Sequence, residues 1–449
     1  MENEANTHRE ISFIETKGAE PVFRTEQHTS FWQLLLTWVG FAVVSSAFLV
    51  GAYCSRAGLV AGLIGIGFGA TFKVFTMGLG AYIGAHEGLA GTLAMRIPFG
   101  VNGRFCSTIP MIVATGGWFG IQVGITASAI NEILKQLIPT WNIPIQILYV
   151  VLAVLMGILA VYGYRSVVWF QTLAVPVMLI ILGWVVVTML RSFNLSELWN
   201  FQSQDPISLT EAMNILPAAG PALMIAAADT SRYARSPKIA VSSCVLANIT
   251  LFTATGFLGF LGAVFAGLWD PAQVMVKLGM GVLALVLLIL ASWTTNCMNA
   301  YWGGIALTTI STGLKHFPKG IPRPIATFIT AGLGTLLAIS GIYTSQGLVD
   351  FLIFLGATLS PANGILACEY FVIRRKHNRK IKTEDIDKRG GEYWYTKGWH
   401  VPAIIAWLIT ALFASCLKNV TQYIPAVTSF FAAGILYYIL HKIYYLKKK

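Results

Sequence analysis

The chain has 449 residues, of which 56% are hydrophobic and only 11% charged, with a mean hydropathy of +0.68. Soluble domains carry roughly a quarter charged residues, so composition excludes a soluble fold. The formal charge of +12 does not mark a nucleic-acid binder, because the basic residues fall between apolar runs and form no patch or stripe.

A hydrocarbon core about 30 Å thick needs about 20 apolar residues per crossing, so the length allows on the order of a dozen spans. Apolar runs occur near 32–53, 58–85, 105–137, 143–163, 167–190, 209–231, 239–266, 280–310, 325–343, 347–372, 399–418 and 422–441. They predict an all-α polytopic membrane protein of twelve transmembrane helices embedded in the lipid bilayer. The first thirty residues are polar and mixed in charge, without the pattern of a cleaved signal. Residues 1–30 are therefore read as a cytosolic tail, 31–372 as a ten-helix transport core, 373–398 as a cytosolic loop, 399–441 as two further helices and 442–449 as a basic cytosolic tail.

The first run contains Gly40, Ser45, Ser46 and Gly51, residues that weaken a helix by entropy and by local backbone hydrogen bonding. The second holds Lys73 within the apolar stretch and His86-Glu87 at its end. Intramembrane ionisable groups are functional candidates, and no partner for Lys73 is evident from the sequence; His86-Glu87 reads as a solvated helix end. The third run carries Thr115-Gly-Gly-Trp118-Phe-Gly-Ile-Gln122, with an indole and a carboxamide four residues apart on one helical face. A flat heteroaromatic ring stacks well on such an indole while the carboxamide pairs with its donor and acceptor edge. Packing of the Trp and interhelical bonding by the Gln is the competing reading.

The sixth run is interrupted by Leu216-Pro-Ala-Ala-Gly-Pro221, where each proline removes an amide donor. Broken first and sixth helices, of opposite orientation and five helices apart, are the spacing of a five-plus-five inverted repeat with its binding site at the bilayer midplane. Near the end of the sixth run Asp229 and Arg232 read as a structural pair. The eighth run carries Ala291-Ser-Trp-Thr294-Thr295-Asn296-Cys-Met-Asn299. The Thr294 and Thr295 hydroxyls, with carbonyls freed by a broken first helix, make a suitable cage for a hard cation such as Na+. Asn296 and Asn299 offer carboxamides to a base edge, with hydrogen bonding between helices as the alternative.

With a cytosolic N-terminus, 25 of the 31 Lys and Arg lie on the cytosolic side and five outside, with Lys73 in a span. That bias fixes both termini in the cytosol of a cell with this chain in its inner, cytoplasmic membrane. The six cysteines are scattered without CxxC spacing and read as small reduced apolar residues. No nucleophile elbow, HExxH or P-loop is present, so an enzyme is not expected.

Several segments, in order along nearly the whole chain, resemble the nucleobase:cation symporter-1 family, in particular its bacterial cytosine-permease branch. They are Gly40-Phe41, Arg96-Ile-Pro-Phe-Gly-Val-Asn-Gly103, Gly117-Trp-Phe-Gly120, Ala228-Asp-Thr-Ser-Arg-Tyr233 with Ser236-Pro-Lys-Ile-Ala240, Trp293-Thr-Thr-Asn296 and Tyr395-Thr-Lys-Gly398. The resemblance implies a leucine-transporter-like fold with discontinuous helices one and six, and alternating access around a midplane site. It implies Na+ at the carbonyls of Gly40, Val43 and Ala291 and the hydroxyls of Thr294 and Thr295. Substrate contacts carry over to Trp118 and Asn296, with Gln122 at the spacing of the hydantoin-permease branch; Thr115, Gly220, Ala222 and Asn299 complete the expected pocket. The chain departs from the family at Ala219-Gly-Pro-Ala222, where relatives often present an aromatic ring or a serine, and at Cys297-Met298, where the cytosine-permease pattern has acidic and amide residues. The expectation is a symporter importing a nucleobase, hydantoin or pyrimidine vitamin precursor with Na+, with H+ as the alternative ion and no covalent cofactor. A proton-coupled amino-acid or vitamin-precursor permease is the alternative within the fold, and an uncoupled channel or sensor the alternative outside it; oligomeric state and the identity of the base stay open.

Overall fold

The computed structural model describes residues 20–138, 140–191, 194–314, 317–416 and 423–446. Residues 1–19, Lys315, Lys418 and the three terminal lysines of the expected topology lie outside them.

Ser30 starts α1 (Phe31–Ala42) through a capping box, its hydroxyl accepting from the Gln33 amide while the Gln33 carboxamide accepts from the Ser30 N–H. The helix stops at Val43 and Val44, where ψ swings to 78° and 137°, and resumes as α2 (Ser45–Cys54) after a 51° bend. Two adjacent β-branched residues favour extended backbone. The expected interruption is thus present, but its unwound residues are valines, while Gly40, Ser45, Ser46 and Gly51 all lie within helix.

The chain continues through α3 (Leu59–Glu87), α4 (Phe105–Leu137), α5 (Ile145–Val161) and α6 (Tyr164–Arg191). The next span is α7 (Leu209–Ala219) and α8 (Pro221–Ser231), parted by Gly220. Gly220 keeps right-handed angles (φ −86°, ψ −20°) and donates to the Leu216 carbonyl at 3.1 Å. The second interruption is therefore a single residue without unwinding, far milder than the first. Next come α9 (Pro237–Ala266), with a π turn at Asn248–Phe252, α10 (Gly281–Ser311), α11 (Arg323–Ile339), α12 (Gln346–Arg374), α13 (Val401–Cys416) and α14 (Pro425–Leu446). A two-stranded antiparallel hairpin, β1 (Thr312–Leu314) with β2 (Phe317–Lys319), follows α10.

Among the described residues eight helices are long and apolar enough to cross a bilayer, α1 and α2 make a bent ninth span, and α5, α11 and α13 are shorter apolar helices. Their positions match the twelve apolar runs. Helices α1, α2, α3, α7, α8 and α9 pack against one another, α4, α5, α10 and α11 form a second group, and the two groups meet where α1 and α2 face α4 and α10. Glycine lets the first group close up: a Cβ on Gly80 or Gly84 of α3 would strike the backbone of Met224 or Ala228 on α8.

The ends of the spans are tied by polar contacts. Asp229 accepts from the Gly91 N–H at 2.7 Å, and the Tyr370 hydroxyl donates to Glu87, joining α3 to α12. The segment 96–103 docks on 393–400: Asn102 donates to the Gly398 carbonyl, Tyr395 to that of Ile97, and Arg96 pairs with Asp387. Buried Glu369 is held by Arg374 at 2.9 Å and by the Tyr437 hydroxyl at 2.7 Å, which anchors α14 to α12.

Candidate functional site

Where the two helix groups meet, halfway along α4, a cavity of about 30 Å³ is lined by Phe41, Val44, Ser46, Val50, Lys73, Trp118, Gln122, Ala219, Leu223, Phe252, Thr295 and Asn299. That volume holds a water or two, so a heteroaromatic ring fits only if side chains or helices draw back. Trp118 forms one wall, its indole half-buried and edge-on to Phe351 with ring centroids 5.4 Å apart. Gln122, one turn on, is buried and fixed by two hydroxyls: its amide donates to Ser46 at 3.1 Å and its oxygen accepts from Ser292 at 3.2 Å. The carboxamide thereby spans α2, α4 and α10 at the edge of the cavity.

Beside the cavity, oxygen atoms from the α1 break and from α10 converge. The Thr294 hydroxyl donates to the Gly40 carbonyl at 3.0 Å and lies 3.1 Å from that of Ala291; the Thr295 hydroxyl donates to the Ala291 carbonyl at 2.9 Å. Val43 sits past the last turn of α1, and the Ala47 N–H turns to Val44, leaving the Val43 carbonyl outside the helical ladder. These are neutral hard oxygens at the negative end of a half-helix, a donor set suited to a small monovalent cation. Among the described residues no cluster of three His, Cys, Asp or Glu offers an alternative metal site.

The residues singled out from the sequence divide by helical face. Thr295 and Asn299, four apart, both line the cavity with Trp118 and Gln122. Asn296 is turned about 100° from Thr295 and about 60° from Asn299, its amide donating to the Phe119 carbonyl at 3.0 Å and its oxygen accepting from Asn299; it braces α10 against α4 and is not a lining residue. Thr115 bonds back to the Met111 carbonyl and abuts Gly303. From the α7–α8 span the lining residues are Ala219 and Leu223, while Gly220 and Ala222 lie behind them.

Two residues escaped the sequence reading, and a third was noted there without a place in the site. Phe252 enters the cavity from the π turn of α9, an element sequence periodicity does not reveal but which is frequent at functional sites. Gln171 of α6 packs on Gly40, and neither polar atom of its buried carboxamide has a hydrogen-bond partner among the described residues. Lys73, noted as an unpartnered intramembrane charge, lines the cavity itself.

Comparison with known proteins adds the lineage. Residues 21–440 match the family described as permease for cytosine/purines, uracil, thiamine, allantoin. The hydantoin permease of Microbacterium maritypicum is 24% identical over 444 residues, covering 93% of this chain and 86% of that protein. The cytosine permease of Escherichia coli (strain K12) is 26% identical over 311 residues, 69% of this chain and 70% of its own. Mhp1, a nucleobase-cation-symport-1 family transporter solved in a closed conformation with bromovinylhydantoin bound, superposes with a TM-score of 0.80 at 21% identity, covering 96% of both chains. That likeness supplies the fold: the leucine-transporter-like arrangement expected from the sequence.

Proposed function

The chain belongs to the nucleobase:cation symporter-1 family, the permeases for cytosine/purines, uracil, thiamine and allantoin, and from that premise we propose that it imports a planar nucleobase-like heterocycle together with Na+. It is a polytopic membrane transporter and not an enzyme. The observation that carries the reading is the contact between Thr294 and the Gly40 carbonyl at the α1 break, next to a cavity walled by an indole and a fixed carboxamide. Trp118 is the stacking face for the ring, and Gln122 and Asn299 read its edge. The carbonyls of Gly40, Val43 and Ala291 with the hydroxyls of Thr294 and Thr295 hold the ion. Thr115, Gly220, Ala222 and Asn296 set the walls behind these contacts.

Na+ entering that oxygen cluster replaces the Thr294 to Gly40 hydrogen bond with ligand bonds, fixing α1 against α10 and with them the cavity wall. The change of access is a rocking of the group containing α1, α2, α3, α7, α8 and α9 against that of α4, α5, α10 and α11. Both termini face the cytosol of the inner membrane in this scheme, a placement the distribution of Lys and Arg supports. The test is uptake of labelled cytosine, uracil, hypoxanthine and hydantoin into proteoliposomes under an inward Na+ gradient, an inward proton gradient, or neither. Concentrative uptake of at least one ring driven by Na+ is expected. Uptake driven only by protons would replace the ion, and no uptake of any ring would end the proposal.

A further inference from the structure

Lys73 lies about midway along α3 and is 1% exposed. Its ammonium has no hydrogen-bond partner among the described residues, and near it stand the Cys244 thiol and two aromatic rings: Nζ is 2.9 Å from the centroid of Phe252 and 5.8 Å from that of Phe41. Two ring faces stabilise a desolvated cation by less than removing an ammonium from water costs. The side chain reaches the cavity beside the α7–α8 interruption, where a Cβ on Gly220 would stand 3.3 Å from Lys73 Cγ. Among the described residues no Asp or Glu lines the cavity, and Lys73 is the one ionisable residue of its lining. A cation in the adjoining oxygen cluster would bring a second positive charge and no negative one.

We infer that Lys73 is a specificity-determining residue whose ammonium receives an anionic substituent of the cargo, so that the substrate class is an anionic planar heterocycle, a ring bearing a carboxylate or an oxo-ring that has lost an N–H proton. The inference rests on the reading of the cavity as the site of a flat heterocycle and narrows it. With the ring stacked on Trp118, the anion offsets the charge of Lys73 and of the coupled ion together. The same ammonium discriminates against neutral bases, which would leave it buried without a full counter-charge. The α7–α8 span brings only the apolar Ala219 and Leu223 to this wall and offers the ammonium no counter-charge.

The experiment is a binding measurement on the purified full-length protein in detergent with Na+ present, using two matched pairs: orotate against uracil, and urate against hypoxanthine. The anionic member of at least one pair is expected to bind about tenfold more tightly or better. In Lys73→Gln that anionic-to-neutral ratio falls by about tenfold, and Lys73→Arg retains most of it. Equal or tighter binding of both neutral members by the unmodified protein overturns the inference while leaving the nucleobase reading intact, and so does an unchanged ratio in a folded Lys73→Gln. If none of the four rings binds, the reading of the cavity fails and the inference with it. The comparison in the unmodified protein decides the matter even where Lys73→Gln does not fold.

Discussion

Trp118 and Asn296 stand at the two ends of what a residue's type and spacing can tell. Trp118 and Gln122 are a turn apart, and the cavity receives both. Trp118→Ala removes the proposed stacking face, and base affinity is expected to drop at least tenfold, about 1.4 kcal/mol or more, with little change in thermal stability; equilibrium binding and a melting curve on the same sample separate the two. Asn296→Ala is expected to show the opposite pattern. It removes the bond from α10 to the Phe119 carbonyl and takes the acceptor from the buried Asn299 amide, at about 1–3 kcal/mol, so the melting temperature falls while base affinity changes less than in Trp118→Ala. For Thr295→Ala, loss of one proposed hydroxyl ligand is expected to raise the Na+ concentration for half-maximal uptake by about tenfold, and an unchanged sodium dependence would remove Thr295 from the proposed ion site. Asn296 was not separable from Asn299 in the sequence because both are amides in one polar stretch, and the roughly 60° between them around the helix matters only once the helix is rotated into its place.

At the scale of elements, helix positions were readable because hydrocarbon admits only segments that satisfy their own backbone hydrogen bonds. The manner of interruption was less readable. Glycine, serine and proline were the expected breakers, yet Val43 and Val44 are the unwound residues and the proline-flanked Gly220 stays helical. Contacts from other helices decide this: Ser45 donates to the Leu288 carbonyl at 2.8 Å, and Asn363 donates to that of Pro221 at 2.6 Å, so the break in α1 and the kink at Gly220 are each held by a neighbour. The seam of α3 on α8 carries its own prediction. Gly84→Val forces a branched side chain against the Ala228 backbone, and overpacking of about 1–3 kcal/mol is expected to lower the melting temperature and broaden the size-exclusion peak. A monodisperse protein of unaltered stability would show that α3 and α8 do not pack this closely.

For the whole molecule the claim is one of linkage. If Na+ fixes α1 against α10 and the cargo needs that arrangement, each ligand raises the affinity for the other by the same factor. A thermal-shift titration with ring and Na+ varied independently should show a combined stabilisation greater than the sum of the separate ones; strict additivity would mean the two sites are uncoupled. The sequence by itself determined that this chain is a bundle of membrane helices and where along the chain those helices lie, because hydropathy answers to the bilayer, a solvent every span meets alike. It also supplied the chemical inventory of the site. Only the tertiary structure decided which of those groups share the cavity, that Phe252 joins them from a π turn, and that Lys73 stands there among aromatic rings. Those facts depend on the rotation and depth of helices far apart in sequence, which are set by their packing against one another and leave no period in the chain.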